Sequence, residues 1–182
     1  ALVKDPDMAA ILKQFDNESI RAVIIRSWPS IAFLYMLFVR LNSESLPLSP
    51  QELRQALWPG GFVKYIDEAS RVSPGIKKLL GISEPDSRMR DVEMLVRYIA
   101  FALFLELHPG SLKGFLDLTC DSLNKVWEDR VDEVQVQVAR FEKAVDIGFA
   151  VFDKEEGFGR SWSSGAGYSA RMIKAVLDVE LF

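Results

Sequence analysis

Arg88-Met-Arg-Asp-Val-Glu-Met-Leu-Val-Arg-Tyr-Ile-Ala-Phe-Ala-Leu-Phe-Leu-Glu-Leu107 is the stretch whose reading decides the fold. Val92, Leu95, Val96, Ile99, Leu103 and Phe104 recur at three- and four-residue spacing, the stripe of a helix laid against a core. His108-Pro-Gly110 ends it. Glu93 and Arg97 stand four apart in the favourable order, a pair worth about 0.3–0.5 kcal/mol if exposed. A helix this long and this apolar needs others around it.

Downstream, the spacing predicts a helix over Leu112 to Val126. Val134-Gln-Val-Gln-Val138 alternates briefly like a strand, yet Val134, Val138, Phe141, Val145 and Phe149 keep helical spacing across Asp132 to Phe152. Gly157 to Gly167 reads as a flexible surface loop, and Tyr168 to Leu181 as a final helix. That loop precedes a helix, but it lacks the strand and the Gly-Lys-Ser/Thr ending of a phosphate-binding loop. Upstream, Ile76 to Leu80 and Phe62 to Ala69 read as short helices. Ser49-Pro-Gln-Glu52 is a capping box with proline in the first turn, opening a helix to about Trp58. Ser30 to Leu41 is apolar almost all round and reads as a central buried helix. Pro6 to Phe15 is a short helix with Met8, Ile11, Leu12 and Phe15 on one face.

Between these last two, Ile20-Arg-Ala-Val-Ile-Ile-Arg26 is rich in β-branched residues and bounded by Asn17 and Pro29. It reads as a strand. A lone strand leaves its backbone groups unpaired, so its partners are expected from outside this sequence. The expected fold is mainly α, an irregular bundle of about eight helices with one orphan N-terminal β-strand. Residues 1–28 are expected to end an α/β domain and 29–182 to form a helical domain.

The bulk numbers narrow the function classes. The chain has 182 residues with 49% hydrophobic and 26% charged side chains, the composition of a folded globular chain. A formal charge of −4 gives no global basic field, so any nucleic-acid contact must be local. Cys120 is the single cysteine; it excludes an internal disulfide and suits a reducing cytoplasm. Its apolar helical surroundings mark it as a buried inert thiol rather than a nucleophile. The longest apolar run, Ile31 to Val39, is about half of what a bilayer span needs. Neither a membrane anchor nor a secretion signal is expected. The start at Ala1 hints at a processed or truncated product. His108 is the only histidine and has no Cys or His at metal spacing, so no zinc site, no histidine-dependent triad and no metal-and-histidine nuclease centre is expected in this chain.

Two polar clusters are candidate sites. Arg40-Leu-Asn-Ser-Glu-Ser-Leu-Pro-Leu-Ser-Pro-Gln-Glu-Leu-Arg54 joins two apolar helices. Glu52 reads first as the capping partner of Ser49. Asn42 reads as a left-handed helix end, and Arg40 as a last-turn cation. Taken together, Arg40, Asn42, Arg54 and a helix N-terminus could form an anion site. The second cluster is Arg88, Arg90 and Arg97. It is either a solvated helix start with local ion pairs or a contact for phosphate or a DNA backbone. No catalytic residue is assigned.

Ile20 to Arg26, Phe38-Val-Arg-Leu-Asn42, Pro47-Leu-Ser-Pro-Gln-Glu-Leu-Arg54, Asp86-Ser-Arg-Met-Arg-Asp-Val-Glu-Met-Leu-Val-Arg97 and Gly110-Ser-Leu-Lys-Gly-Phe-Leu116 come in this order along the chain. Together they resemble the GmrS-like domain of the GmrSD family, bacterial modification-dependent (type IV) restriction and anti-phage defence proteins. The resemblance covers nearly the whole chain. It implies a preceding ParB/sulfiredoxin-like domain with an Asp-Gly-Gln-Gln-Arg motif, of which residues 1–28 would be the end. In the parent protein it implies nucleoside-triphosphate hydrolysis, with magnesium, and in many members a separate HNH nuclease domain that cuts modified DNA. This chain has neither the Asp-Gly-Gln-Gln-Arg motif nor HNH histidines, so no cofactor is expected in it. Arg40, Asn42, Glu52 and Arg54 would then face the nucleotide-binding domain. A plain helical protein-interaction module is the alternative.

Overall fold

The computed structural model describes residues 6–19, 22, 24–30, 33–34, 36–37, 40, 47–152 and 157–182. Its described helices are α1 (Pro6–Asp16), α2 (Pro50–Leu57), α3 (Gly61–Val72), α4 (Pro74–Leu80), α5 (Arg90–Phe104), α6 (Leu112–Lys125), α7 (Trp127–Val151) and α8 (Lys174–Glu180). A short 3-10 turn, Leu105–Leu107, closes α5. Two-residue strands β1 (Trp162–Ser163) and β2 (Gly167–Tyr168) form the sheet, paired antiparallel. The protein is mainly α, an irregular helical bundle.

Helix α5 is its axis. It packs against α2, α3, α4, α6 and α7. Val92, Leu95, Val96, Ile99 and Phe104 are buried, the stripe read from the sequence, while Leu103 is half-buried. Phe62 and Ile66 of α3, Ile76 of α4, Phe115 and Leu123 of α6, and Val134, Phe141 and Val145 of α7 complete the core. Burying a side chain of this size stabilises by about 1.5–3 kcal/mol before entropy is counted. The helical spacing of α7 prevails over its brief alternation because Val134, Phe141 and Val145 all meet that core.

Several ends are set by side chains that lie outside the helix they cap. Gly60 offers α3 no side-chain cap. Asn124 of α6 supplies one: its amide donates to the Trp58 carbonyl (2.8 Å) and its Oδ1 accepts the Val63 N–H (3.3 Å). Ser73 caps α4 by accepting the Ile76 N–H (3.0 Å), and Glu142 of α7 accepts the Gly75 N–H (2.8 Å) and the Ser73 hydroxyl. Helix α5 starts at Arg90, two residues later than its pattern suggests. Met89 sits in the left-handed region (φ 55°), and the Asp86 carboxylate accepts the N–H groups of Arg88 and Arg90 (2.9 and 3.2 Å).

Three expectations are corrected. Of the expected N-terminal strand, Ala22, Ile24, Ile25 and Arg26 adopt no strand conformation, and Ile20, Arg21 and Val23 lie outside the described residues. No described strand stands beside them to pair their backbone groups, as a strand requires. The expected central helix over 30–41 is helical at Phe33, Leu34, Met36, Leu37 and Arg40, but none of these five is buried; α5 holds the centre. The third concerns residues 157–173, expected as a flexible loop running into a helix at Tyr168. They form a tight turn, the β1–β2 hairpin and a delayed helix start at Lys174, because Trp162 pairs with Tyr168 and Ser163 with Gly167. The turn is anchored: Phe158 is buried against the Phe149 ring (centroids 5.1 Å apart), over a glycine of α7, Gly148.

Candidate functional site around helix α2 and the start of α5

The capping box forms at the entry to α2. Ser49 Oγ accepts the Glu52 N–H (3.1 Å), and Glu52 Oε2 accepts the Ser49 N–H (2.5 Å). The Ser49 hydroxyl also donates to the Arg88 carbonyl (3.0 Å). Arg88 returns the tie: its guanidinium donates to the Pro47 carbonyl and lies 3.5 Å from Glu52 Oε2. Thus the chain ahead of α2 is pinned to the chain ahead of α5.

Arg54 lies inside the protein, 1% exposed. Nε donates to Asp117 Oδ1 of α6 (3.0 Å), and Nη1 donates to Gln51 Oε1 (2.5 Å). The second Asp117 oxygen accepts from Lys113 Nζ (2.8 Å). A buried guanidinium needs such partners, since an unpaired buried charge is very costly. Gln51 Nε2 and Gln55 Oε1 are buried without a hydrogen-bond partner. Arg40 is exposed, and Asn42 lies outside the described residues. The Arg54 side chain is thus turned into the α2–α6 contact, where it meets a carboxylate.

The second cluster is also committed within the protein. Arg90 pairs with Asp86 (Nε–Oδ2 2.8 Å), and that hydrogen bond holds the Asp86 carboxyl below the usual carboxylate range. Arg97 is 5% exposed, its guanidinium held by Asp178 of α8 (Nε–Oδ1 3.0 Å) and 3.7 Å from Glu93. Lys174 of α8 donates to the same Glu93 (2.9 Å). These ion pairs clip α8 onto α5. Arg97 is thus an interior ion, whereas the Arg88 and Arg90 side chains stay 35% and 56% exposed.

Chemistry is sparse at both clusters. Among the described residues no three His, Cys, Asp or Glu side chains are grouped to hold a metal ion. Cys120 is buried, and burial pushes its thiol up to about 12, so it stays protonated and unreactive at neutral pH. His108 Nδ1 accepts the Gly110 N–H (3.1 Å), with its ring against Phe115 (centroids 4.6 Å apart).

Sequence reasoning did not find Asp117 and Asp178, the partners of the two buried arginines. They lie 63 and 81 residues away, and nothing local marks an aspartate as the future partner of an interior cation. It also did not mark the exposure of the N-terminal segment. Ile11, Leu12 and Phe15 of α1, then Ile24, Ile25 and Trp28, are all exposed, Phe15 by 75%. Among the described residues no single helix is long and apolar enough to cross a membrane. Compared with known proteins, the chain matches no family model, no curated protein and no solved structure.

Proposed function

We propose that this chain is the non-catalytic helical portion of a GmrS-like defence protein, docking through its N-terminal apolar segment against a ParB-like domain. The observation that carries the reading is an asymmetry. Arg54 and Arg97 are neutralised inside the bundle, whereas Ile11, Leu12, Phe15, Ile24, Ile25 and Trp28 stand uncovered in one short segment. Apolar side chains exposed together in this way mark interaction surfaces. On this reading nucleotide, magnesium and hydrolysis belong to the ParB-like domain, and cleavage of modified DNA to an HNH domain or subunit. The helical body supports them. Arg54 serves as a tie between α2 and α6 rather than as a phosphate ligand.

The same asymmetry supports a second reading, a helical protein-interaction module that serves some other partner. Calorimetry of this chain with the parent's ParB-like domain separates the two. Association is expected, and the Phe15→Asp/Trp28→Ala variant should weaken it at least about ten-fold, as loss of central apolar anchors does. No association, or association indifferent to that variant, would leave the interaction module as the better reading.

A further inference from the structure

The β1–β2 hairpin differs from the rest of this acidic protein. Residues 157–173 contain Arg160 and Arg171 and no acidic side chain, against a formal charge of −4 for the whole chain. Unlike the arginines of α2 and α5, these two have no ion pair among the described residues. Between them the ladder sets Trp162 directly opposite Tyr168, so both rings project from one face of the hairpin. A further bond, Ser169 N–H to the Ser161 carbonyl (2.8 Å), extends the pairing toward the arginines. Arg160 lies two residues before Trp162, at the end of a turn closed by its own N–H on the Gly157 carbonyl (3.0 Å).

The rings are held but not covered. Trp162 is 64% exposed and Tyr168 44%. Tyr168 rests on Gly157, where a Cβ would overlap its ring, so the base of the hairpin is firm. Trp162 contacts no other aromatic ring among the described residues. An exposed tryptophan in a hairpin flanked by two arginines that have no ion pair among the described residues offers a π-face and anion-binding forks in one short segment.

From this juxtaposition we propose that the hairpin is a docking point for single-stranded nucleic acid. A base stacks on Trp162, and the flanking phosphates are taken by Arg160 and Arg171. Stacking needs the face of a base, which a duplex hides within its own stack. A bilayer is a poorer fit. The tip, Ser163-Ser-Gly-Ala-Gly167, is small and polar, with no aliphatic side chain large enough to enter hydrocarbon. The surface is distinct from the N-terminal segment, and the proposal does not rest on the docking of a ParB-like domain.

Fluorescence anisotropy of a labelled oligo(dT), titrated with the whole chain at low and moderate salt, tests it. Binding is expected at low salt. Trp162→Ala should weaken it about ten-fold, while Trp162→Phe, which keeps a π-face, should recover most of the affinity. Arg160→Ala/Arg171→Ala should lower the salt slope by about 1.4, two phosphate contacts at about 0.7 each. Trp162 and Arg171 are exposed and Arg160 half-buried, so nearly unchanged melting curves should accompany the losses. If Trp162→Ala also melts early, Trp162→Phe and the arginine pair carry the test. Three results would overturn the proposal: no binding at low salt, binding unchanged by Trp162→Ala in a folded variant, or preference for a duplex or for phosphatidylglycerol vesicles over the single strand.

Discussion

Arg54 is the side chain whose position most changes the reading of this protein. In the sequence it is a cation that no helix cap requires, and so a candidate ligand. In the fold it is an interior ion holding α2 to Asp117 of α6. Arg54→Ala should therefore act on stability. The cost is expected at about 3 kcal/mol, the lower end for breaking a buried pair, because Lys113 remains on the outer oxygen of Asp117. Urea unfolding of the variant measures it; a loss below about 1 kcal/mol would show that the pair is dispensable. Glu52 illustrates the opposite outcome. Its spacing from Ser49 announced a capping box, and the box is present because that chemistry spans only three residues.

Helices whose signals were local were legible: the capping box of α2, the stripe of α5 and the spacing of α7 all lie within one turn or a few turns. Elements whose ends depend on distant partners were less so. Asn124 caps α3 from 61 residues away, and Glu142 of α7 holds the start of α4 from 67. The stretch 157–173 is the clearest case. Its glycines and serines suggested looseness, yet Phe158 wedges onto Gly148 and the hairpin postpones α8. A side chain at Gly148 would overlap the Phe158 ring. Gly148→Ala, which in a free helix would stabilise by about 1 kcal/mol, should instead destabilise by about 1–2 kcal/mol through overpacking. In a Phe158→Ala background the same change should become neutral or stabilising. Thermal denaturation of the four proteins of this cycle reads the coupling directly; additive effects would mean that the two sites do not share space.

For the molecule as a whole, stability should depend on pH through carboxylates shifted in opposite directions. Burial raises the Glu180 carboxyl, against the Gly159 N–H that hydrogen-bonds it (2.5 Å). The folded state therefore holds that proton more tightly than the unfolded chain. Stability should fall as pH rises from the ordinary glutamate value through the raised one. Asp86 and Glu133 are lowered, by Arg90 and Arg130 respectively. Their contribution is present above the ordinary carboxylate value and is lost as pH falls through their lowered values. Urea midpoints measured against pH should thus show a gain on mild acidification and a loss on further acidification. Glu180→Gln should abolish the gain while leaving the loss; a gain that survives in Glu180→Gln would assign it to another group. The sequence by itself determined the helical class, the main helices and the capping box, because apolar periodicity and capping act over three to seven residues. Only the tertiary structure decided that α5 is the axis, that Arg54 and Arg97 are interior ions, and that a glycine-rich stretch becomes an anchored hairpin. The two interior arginines and the hairpin are fixed by partners beyond that local window, Asp117 and Asp178 at 63 and 81 residues and Gly148 under the Phe158 ring, whose approach exists only once the helices have packed.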